Sequence, residues 1–140
     1  NNNTHDMVRE MKAACLIQNI THHQAGTMTA ESALEMATIG GAQVIGRQHE
    51  LGSIEVGKRA DIVLVDLSGP HTTPVVDPVS NLVYAAHGGD VDTVIIDGRV
   101  VMRQRQLPGI DEGGIIEDAR RAAARVVGAL TPRPAPRWPR

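Results

Sequence analysis

The chain has 140 residues, a net charge of −2 and a single cysteine, Cys15, and it contains one tyrosine, one tryptophan and no phenylalanine. That length allows one domain with a hydrophobic core. The near-neutral charge and the shortage of aromatic rings argue against a nucleic-acid partner, because single strands are bound by basic grooves and aromatic platforms. One cysteine excludes an internal disulfide and is typical of a reducing compartment such as the cytoplasm, and no apolar run reaches the about 18 residues of a membrane span.

Two helices are predicted in the first third of the chain. Apolar residues recur at helical spacing over residues 5–20. The polar start Asn1–Thr4 offers N-cap residues, and Asp6 would then lie in the first turn, where the helix dipole favours a carboxylate. Thr29 is expected to cap a second helix over residues 30–45.

A glycine-punctuated segment follows the second helix. Gly52 opens it, and Ser53–Val56 alternates polar and apolar residues before Gly57, which is free to take the positive φ of a tight turn. Asp61–Leu67 is short, β-branched and apolar on both faces. This pattern predicts a β-strand that is covered on both sides.

The next part of the chain is predicted to hold a short helix and a hairpin. Asp77 is placed as an N-cap, a proline follows it at the first helical position, and the apolar stripe predicts a helix over residues 78–87. In Thr93–Met102, two β-rich runs are separated by Asp97 and Gly98. An Asp-Gly pair between such runs is typical of a hairpin with a type I′ turn.

The C-terminal part is predicted to be one helix and a tail. Asp111 opens a helix over residues 111–130, whose basic residues are expected to form a solvated face: Arg120, Arg121 and Arg125. Residues 131–140 contain four prolines and are predicted to be extended and mobile.

Two segments resemble a known family. The letters GSIEVGKRADIV, from Gly52 to Val63, resemble the G-x-I-x-x-G-K-x-A-D-(I/L)-(V/I) motif of the amidohydrolase superfamily, the metal-dependent hydrolases with a (β/α)8 barrel. There the motif joins the end of the barrel to a small β-sandwich. The letters DPVSNLVYAAHGGDVDTVIIDGRVVM, residues 77–102, resemble the deaminase and chlorohydrolase branch, which acts on purines, pyrimidines, triazines and S-adenosylhomocysteine-like nucleosides.

The resemblance implies an α/β fold and an incomplete enzyme. Residues 1–50 would be the last helices of the barrel, and residues 51–110 would be strands of the flanking β-sandwich together with the short helix. A complete barrel needs roughly 250 residues. The chain is therefore expected to be the C-terminal portion of a hydrolase, with the N-terminal part of the same enzyme and a small heterocyclic substrate as partners, and with homo-oligomers as the assembly.

The resemblance also places the chemistry. Hydrolysis in this superfamily uses one or two divalent metals, zinc or iron, which activate a water. The metal-binding Asp ends the eighth barrel strand, and an Asn-rich loop and a helix follow it, much as Asn2, Asn3 and Asp6 are arranged here. The resemblance therefore implies that the metal ligands lie outside this chain and that Asn1, Asn2 and Asn3 are substrate-loop candidates on the active-site rim. Capping of the first helix is the alternative role for these asparagines.

No catalytic or metal-binding residue is predicted within the chain. None of its histidines forms a His-x-His or an i, i+4 helical pair, the spacings that aim two imidazoles at one ion. They are expected to lie in loops or on the surface: His5, His22, His23, His49, His71 and His87. His87 is predicted to favour the carboxyl end of the short helix, and Cys15 to lie in the core.

Two alternatives remain open at this point. One is another amidohydrolase branch that acts on cyclic amides, of the hydantoinase or imidazolonepropionase type, since the motif around Gly57 fits both branches. The other is a non-catalytic structural module, because a sheet of few strands with open edges invites pairing with another chain.

Overall fold

The computed structural model describes residues 4–129, and these residues form two units, one ending at Pro108 and one beginning at Gly109. The elements of the first unit are, in chain order, α1 (Met7–Thr21), α2 (Ala30–Glu35), a π-helical turn (Met36–Gly40), α3 (Gly41–Val44), β1 (Ile62–Val65), α4 (Pro78–Tyr84), a 3₁₀ turn (Gly88–Asp90), β2 (Val91–Ile96) and β3 (Arg99–Met102). The second unit contains α5 (Glu112–Ala129).

Helix α1 confirms the first predicted helix, but its cap was predicted wrongly. Asp6 does not lie in the first turn. It is the N-cap, with extended backbone, and its Oδ1 accepts hydrogen bonds from the amides of Val8 at 3.1 Å and Arg9 at 3.2 Å. A carboxylate at the N-cap satisfies two amides that otherwise lack partners, which is why Asp6 competes so well for this position.

The second predicted helix is present as three consecutive helical pieces. Thr29 caps it as expected, and its Oγ1 accepts a hydrogen bond from the Ser32 amide at 3.2 Å. The π-helical turn separates α2 from α3. It contains Gly40, where a Cβ would lie 3.2 Å from the Glu35 carbonyl oxygen, so the missing side chain suits this widened turn.

The hydrophobic core lies where α1, α2 and α4 meet. Its buried members include no aromatic residue and, apart from Met11, are small, so the helices approach closely. They are Val8, Met11, Cys15, Ala30, Ala33, Val83 and Ala86. The prediction that Cys15 is a core residue is confirmed, because its exposed fraction is zero.

The glycine-punctuated segment is a series of turns before β1. Gly52 has φ +91° and Gly57 has φ +92°, which confirms the turn expected at Gly57. Ser53–Val56 forms no strand despite its alternation, and the side chains of Ile54 and Val56 are exposed. Alternation over four residues is too short to specify a strand when no neighbouring strand offers hydrogen bonds.

The three strands form one antiparallel sheet in the order β1-β2-β3, with β2 in the centre. The prediction that β1 is covered on both faces is not met within the described residues, where Val63 is 55% exposed and Leu64 is 50% exposed. An apolar strand that leaves such side chains half exposed presents a surface that another part of a protein could cover.

The predicted type I′ hairpin is confirmed. Asp97 has φ +51° and Gly98 has φ +75°, so both central residues of the turn have positive φ. The turn is tied to the chain before β1, because the Asp97 amide donates to Oδ1 of Asp61 at 2.7 Å and the Gly98 amide donates to the Ala60 carbonyl at 3.0 Å. The motif aspartate Asp61 thus anchors the hairpin.

We expect Gly98→Val to lower the free energy of unfolding by about 1 kcal/mol or more, because a β-branched residue resists the left-handed region. The control is Arg99→Val, which places the same side chain one residue further on in strand β3. Urea denaturation of both variants measures the difference. Equal stability of the two variants would contradict the importance of the left-handed turn.

The remaining predicted helices are confirmed with small changes of boundary. Asp77 is the N-cap of α4 and accepts hydrogen bonds from the Val79 and Ser80 amides at 3.1 and 3.3 Å. Asp111 precedes α5, and its Oδ1 accepts a hydrogen bond from the Gly114 amide at 3.0 Å. Residues 130–140, including the predicted tail, lie outside the described residues.

Candidate functional site

The substrate-loop candidates Asn1, Asn2 and Asn3 lie outside the described residues. The nearest described feature is the start of α1, three residues further along the chain. Here Asp6 uses its second carboxylate oxygen, Oδ2, to accept a hydrogen bond from the Gly88 amide at 2.9 Å. The start of α1 is therefore held against the 3₁₀ turn that precedes β2, across 82 residues of sequence.

The 3₁₀ turn has its own reciprocal cap. His87 precedes it, and Nδ1 of its ring accepts a hydrogen bond from the Gly89 amide at 3.0 Å. In return, the His87 amide donates to Oδ2 of Asp90 at 2.9 Å. This is a capping box in which histidine and aspartate take the usual places of serine and glutamate.

Asp90 also holds a second histidine. Its Oδ2 lies 2.9 Å from Nε2 of His71, while only 8% of the Asp90 side chain is exposed. Burial raises the pKa of the Asp90 carboxyl, but the hydrogen bonds from the His71 ring and the His87 amide outweigh burial and hold that pKa below its ordinary value. Asp90 is therefore ionised at neutral pH.

The loop that carries His71 is held by two polar side chains. Thr72 is almost completely buried, and its hydroxyl donates to the Leu67 carbonyl at 2.8 Å. Asn81, on α4, donates to the Thr72 carbonyl at 2.6 Å and to the Pro74 carbonyl at 3.2 Å. The loop that carries His71 is thus held to the chain just after β1 and to α4.

His71, His87 and Asp90 are the one group of three potential metal ligands that converge within the described residues. The two rings stack with centroids 5.0 Å apart and an interplanar angle of 8°. Imidazole nitrogens bind metal in the ring plane, so near-parallel stacked rings do not aim at one ion, and Nδ1 of His87 already accepts the Gly89 amide. The cluster fits a hydrogen-bonded structural network and does not fit the hydrolytic metal of an amidohydrolase.

The sequence-based interpretation of His87 was wrong, and the cluster was missed. Helix α4 ends at Tyr84, so His87 does not favour its carboxyl end but caps the next turn. The spacing of His87 and Asp90 is the capping-box spacing and could have predicted this turn. Nothing local links either residue to His71, because the loop of His71 reaches Asp90 only through the folding of β1 and α4.

The chain belongs to the amidohydrolase family. The family's sequence profile, described as "Amidohydrolase family", matches residues 1–101. The match includes the Gly52–Val63 motif and nearly all of the sheet, so the predicted α/β fold of a C-terminal amidohydrolase portion is confirmed.

Three relatives illustrate the similarity. The chain is 44% identical, over 92% of its length, to a 5-methylthioadenosine/S-adenosylhomocysteine deaminase of Desulforudis audaxviator, of which it covers 30%. Among solved structures, it resembles a zinc-bound adenosine deaminase from Xanthomonas campestris, with a TM-score of 0.83, 37% identity, and coverage of 86% of this chain and 27% of that one. It also resembles a zinc-bound atrazine chlorohydrolase from Arthrobacter aurescens, with a TM-score of 0.72, 25% identity, and coverage of 81% and 25%.

The chain therefore spans less than a third of the length of each of these relatives. The portion that it matches is their C-terminal portion. Among the described residues, no helix is both long and apolar enough to cross a lipid bilayer.

Proposed function

We propose that this chain is the C-terminal portion of a hydrolytic deaminase that acts on an adenosine-like nucleoside. The similarity to the nucleoside deaminases carries the proposal, because identity to them reaches 45%, whereas identity to the atrazine chlorohydrolase is 25%. The same difference favours deamination over dechlorination of a triazine. The relatives' names, which are those of nucleoside deaminases, also favour this proposal over the cyclic-amide alternative and the purely structural module.

The proposed reaction replaces the amino group of the purine ring by the oxygen of water and releases ammonia. A divalent metal, zinc by analogy with the zinc-bound relatives, would supply the activated water. The described residues offer no site that fits this metal, so its ligands are proposed to come from an N-terminal part of the protein. The contribution of this chain is to hold the rim of the active site, through the segment of Asn1, Asn2 and Asn3.

The exposed apolar surface supports an N-terminal part as the partner. On α1, the side chains of Leu16, Ile17 and Ile20 are 45–71% exposed. The half-exposed Val63 and Leu64 of β1 add a second apolar surface. Burial of apolar side chains is favourable by about 25 cal/mol of free energy per Å² of apolar surface removed from water. A homo-oligomer and a cytoplasmic location remain predictions.

A substrate panel on the protein extended by its N-terminal part tests this proposal. Ammonia release is measured with 5′-methylthioadenosine, S-adenosylhomocysteine and adenosine, and chloride release is measured with atrazine. We expect turnover of at least one adenosine-like nucleoside, loss of turnover after chelation and its return with zinc. Turnover of atrazine alone would assign the protein to the chlorohydrolase side, and turnover of none of the four would contradict the proposed function.

A further inference from the structure

Helix α5 carries an apolar face that the described residues leave exposed. The helix has 18 residues, and none of them is buried. The family profile ends at residue 101, so α5 lies outside the part of the chain that the profile matches. A continuous apolar face on a long helix is typical of a surface that contacts another helix. The large aliphatic side chains of this face are 51–64% exposed: Ile115, Ile116, Val126 and Val127.

The apolar residues follow the spacing of a coiled-coil seam. Ile115, Ala119, Ala122 and Val126 lie four, three and four positions apart along the helix. If a second copy of α5 runs antiparallel, Ile115 faces the second copy's Val126 and Ala119 faces the second copy's Ala122. Large side chains then meet at both ends of the seam, and small ones meet in the middle, where the two helices can approach closely.

The charges beside the seam favour the antiparallel orientation. Asp118 and Arg125 lie seven positions apart and therefore on the same flank of the helix. In an antiparallel pair the same flanks face each other, so Asp118 of each copy lies opposite Arg125 of the other. A parallel pair would place Asp118 opposite Ala123 and would lose both ion pairs.

The charged groups of this flank are available for such a contact. Among residues 4–129, Arg125 forms no ion pair, while Asp118 pairs only with Arg121 of its own helix. The Asp118 side chain is 72% exposed, and a carboxylate has room for a second donor.

We propose that α5 is a two-fold interface at which two copies of this chain pair antiparallel. A contact between identical surfaces must be self-complementary, and the order of side sizes and charges along α5 meets that condition. The proposal goes beyond the proposed function, because it does not depend on the reaction that the protein catalyses. An N-terminal part of the same chain is the alternative occupant of this face.

A charge placed in the seam tests the interface. Ala122→Glu puts a carboxylate in the middle of the seam, whereas Ala124→Glu puts the same side chain on the opposite, exposed face. Glutamate is a good helix former, so both variants keep the helix. In sedimentation equilibrium of the protein extended by its N-terminal part, we expect wild type and Ala124→Glu to be dimers. The dissociation constant of Ala122→Glu should be about tenfold higher or more.

A charge exchange tests the orientation. Asp118→Arg puts an arginine opposite the second copy's Arg125, and Arg125→Asp puts two aspartates opposite each other. Each single variant should raise the dissociation constant by about threefold to tenfold. The double variant restores both ion pairs in reversed order and should return the dissociation constant to within about twofold of wild type. Such a rescue requires that both partners of each ion pair come from two copies of the same helix.

Three results would overturn the proposal. The first is a wild-type protein that is monomeric at every concentration, or a dimer that Ala122→Glu leaves unchanged. The second is a melting temperature that Ala122→Glu lowers equally at all protein concentrations, since the N-terminal part of the same chain would then cover the face. The third is a double variant that is no tighter than the single ones. Failure of the proposed function would appear separately, as absence of turnover in the substrate panel.

Discussion

Gly52→Ala is expected to lower the free energy of unfolding by about 3 kcal/mol or more. Gly52 has φ +91°, and a Cβ built on it would lie 2.7 Å from Cα of Ile39 and 3.0 Å from Cβ of Ala42. The first contact is with backbone, which cannot rotate away as a side chain could. The substitution would therefore force the segment before β1 away from the π-helical turn and α3.

Gly57→Ala is the matched control for this prediction. Gly57 lies in the same segment with φ +92°, but nothing lies within 4 Å of its Cβ position. Gly57→Ala should lower the free energy of unfolding by only about 1 kcal/mol, which is the cost of placing an alanine in the left-handed region. Urea denaturation followed by circular dichroism measures both variants, and equal losses would show that the close approach to Ile39 contributes nothing.

Asp90→Ala is expected to lower the free energy of unfolding by about 2–3 kcal/mol, because it removes the ionised acceptor of two hydrogen-bond donors. The donors that lose their partner are the His87 amide and Nε2 of His71. Asp90 is 6% exposed, so water cannot easily replace the carboxylate. Asp90→Asn should lose less, because its carbonyl oxygen still accepts one hydrogen bond.

The control for Asp90→Ala is Asp92→Ala on β2, whose carboxylate accepts a hydrogen bond from the neighbouring Thr93 hydroxyl. Thermal unfolding of the variants measures the comparison. A loss for Asp90→Ala no greater than that for Asp92→Ala would contradict the structural role of the cluster.

Lowering the pH should reduce the difference in folding stability between the wild type and Asp90→Ala. The pKa of the Asp90 carboxyl is lower in the folded chain than its ordinary value of about 3.9. A group with a lowered folded pKa stabilises the fold fully above its unfolded pKa and loses that effect as pH falls through the folded pKa. The stability gap should therefore be largest at neutral pH and shrink as pH falls below about 4.

The local elements were readable from the sequence because their causes are local. Asp97 and Gly98 require no information beyond themselves to form a type I′ turn, and Thr29 and Asp77 cap the helices that begin beside them. Asp6 was predicted to lie in the first turn of its helix and is the N-cap instead, since several polar residues before it were also suitable caps.

The long-range contacts were not readable from the sequence. The bond between Asp6 and Gly88 joins residues 82 positions apart, and the pairing of His71 with Asp90 depends on where β1 and α4 leave the intervening loop. The exposure of Val63 and Leu64 was also not predicted. The apolar pattern of β1 indicates burial on both faces, but the described residues leave these two side chains half exposed.

The most direct measurement of the central claim is zinc content and adenosine-type deamination, measured in parallel on the 140-residue chain and on the protein extended by its N-terminal part. Both are dialysed against zinc and then against metal-free buffer. We predict that the extended protein retains stoichiometric zinc and deaminates a nucleoside, and that the 140-residue chain does neither. Stoichiometric zinc and turnover in the 140-residue chain alone would contradict the claim that its residues support an active site whose metal ligands lie elsewhere.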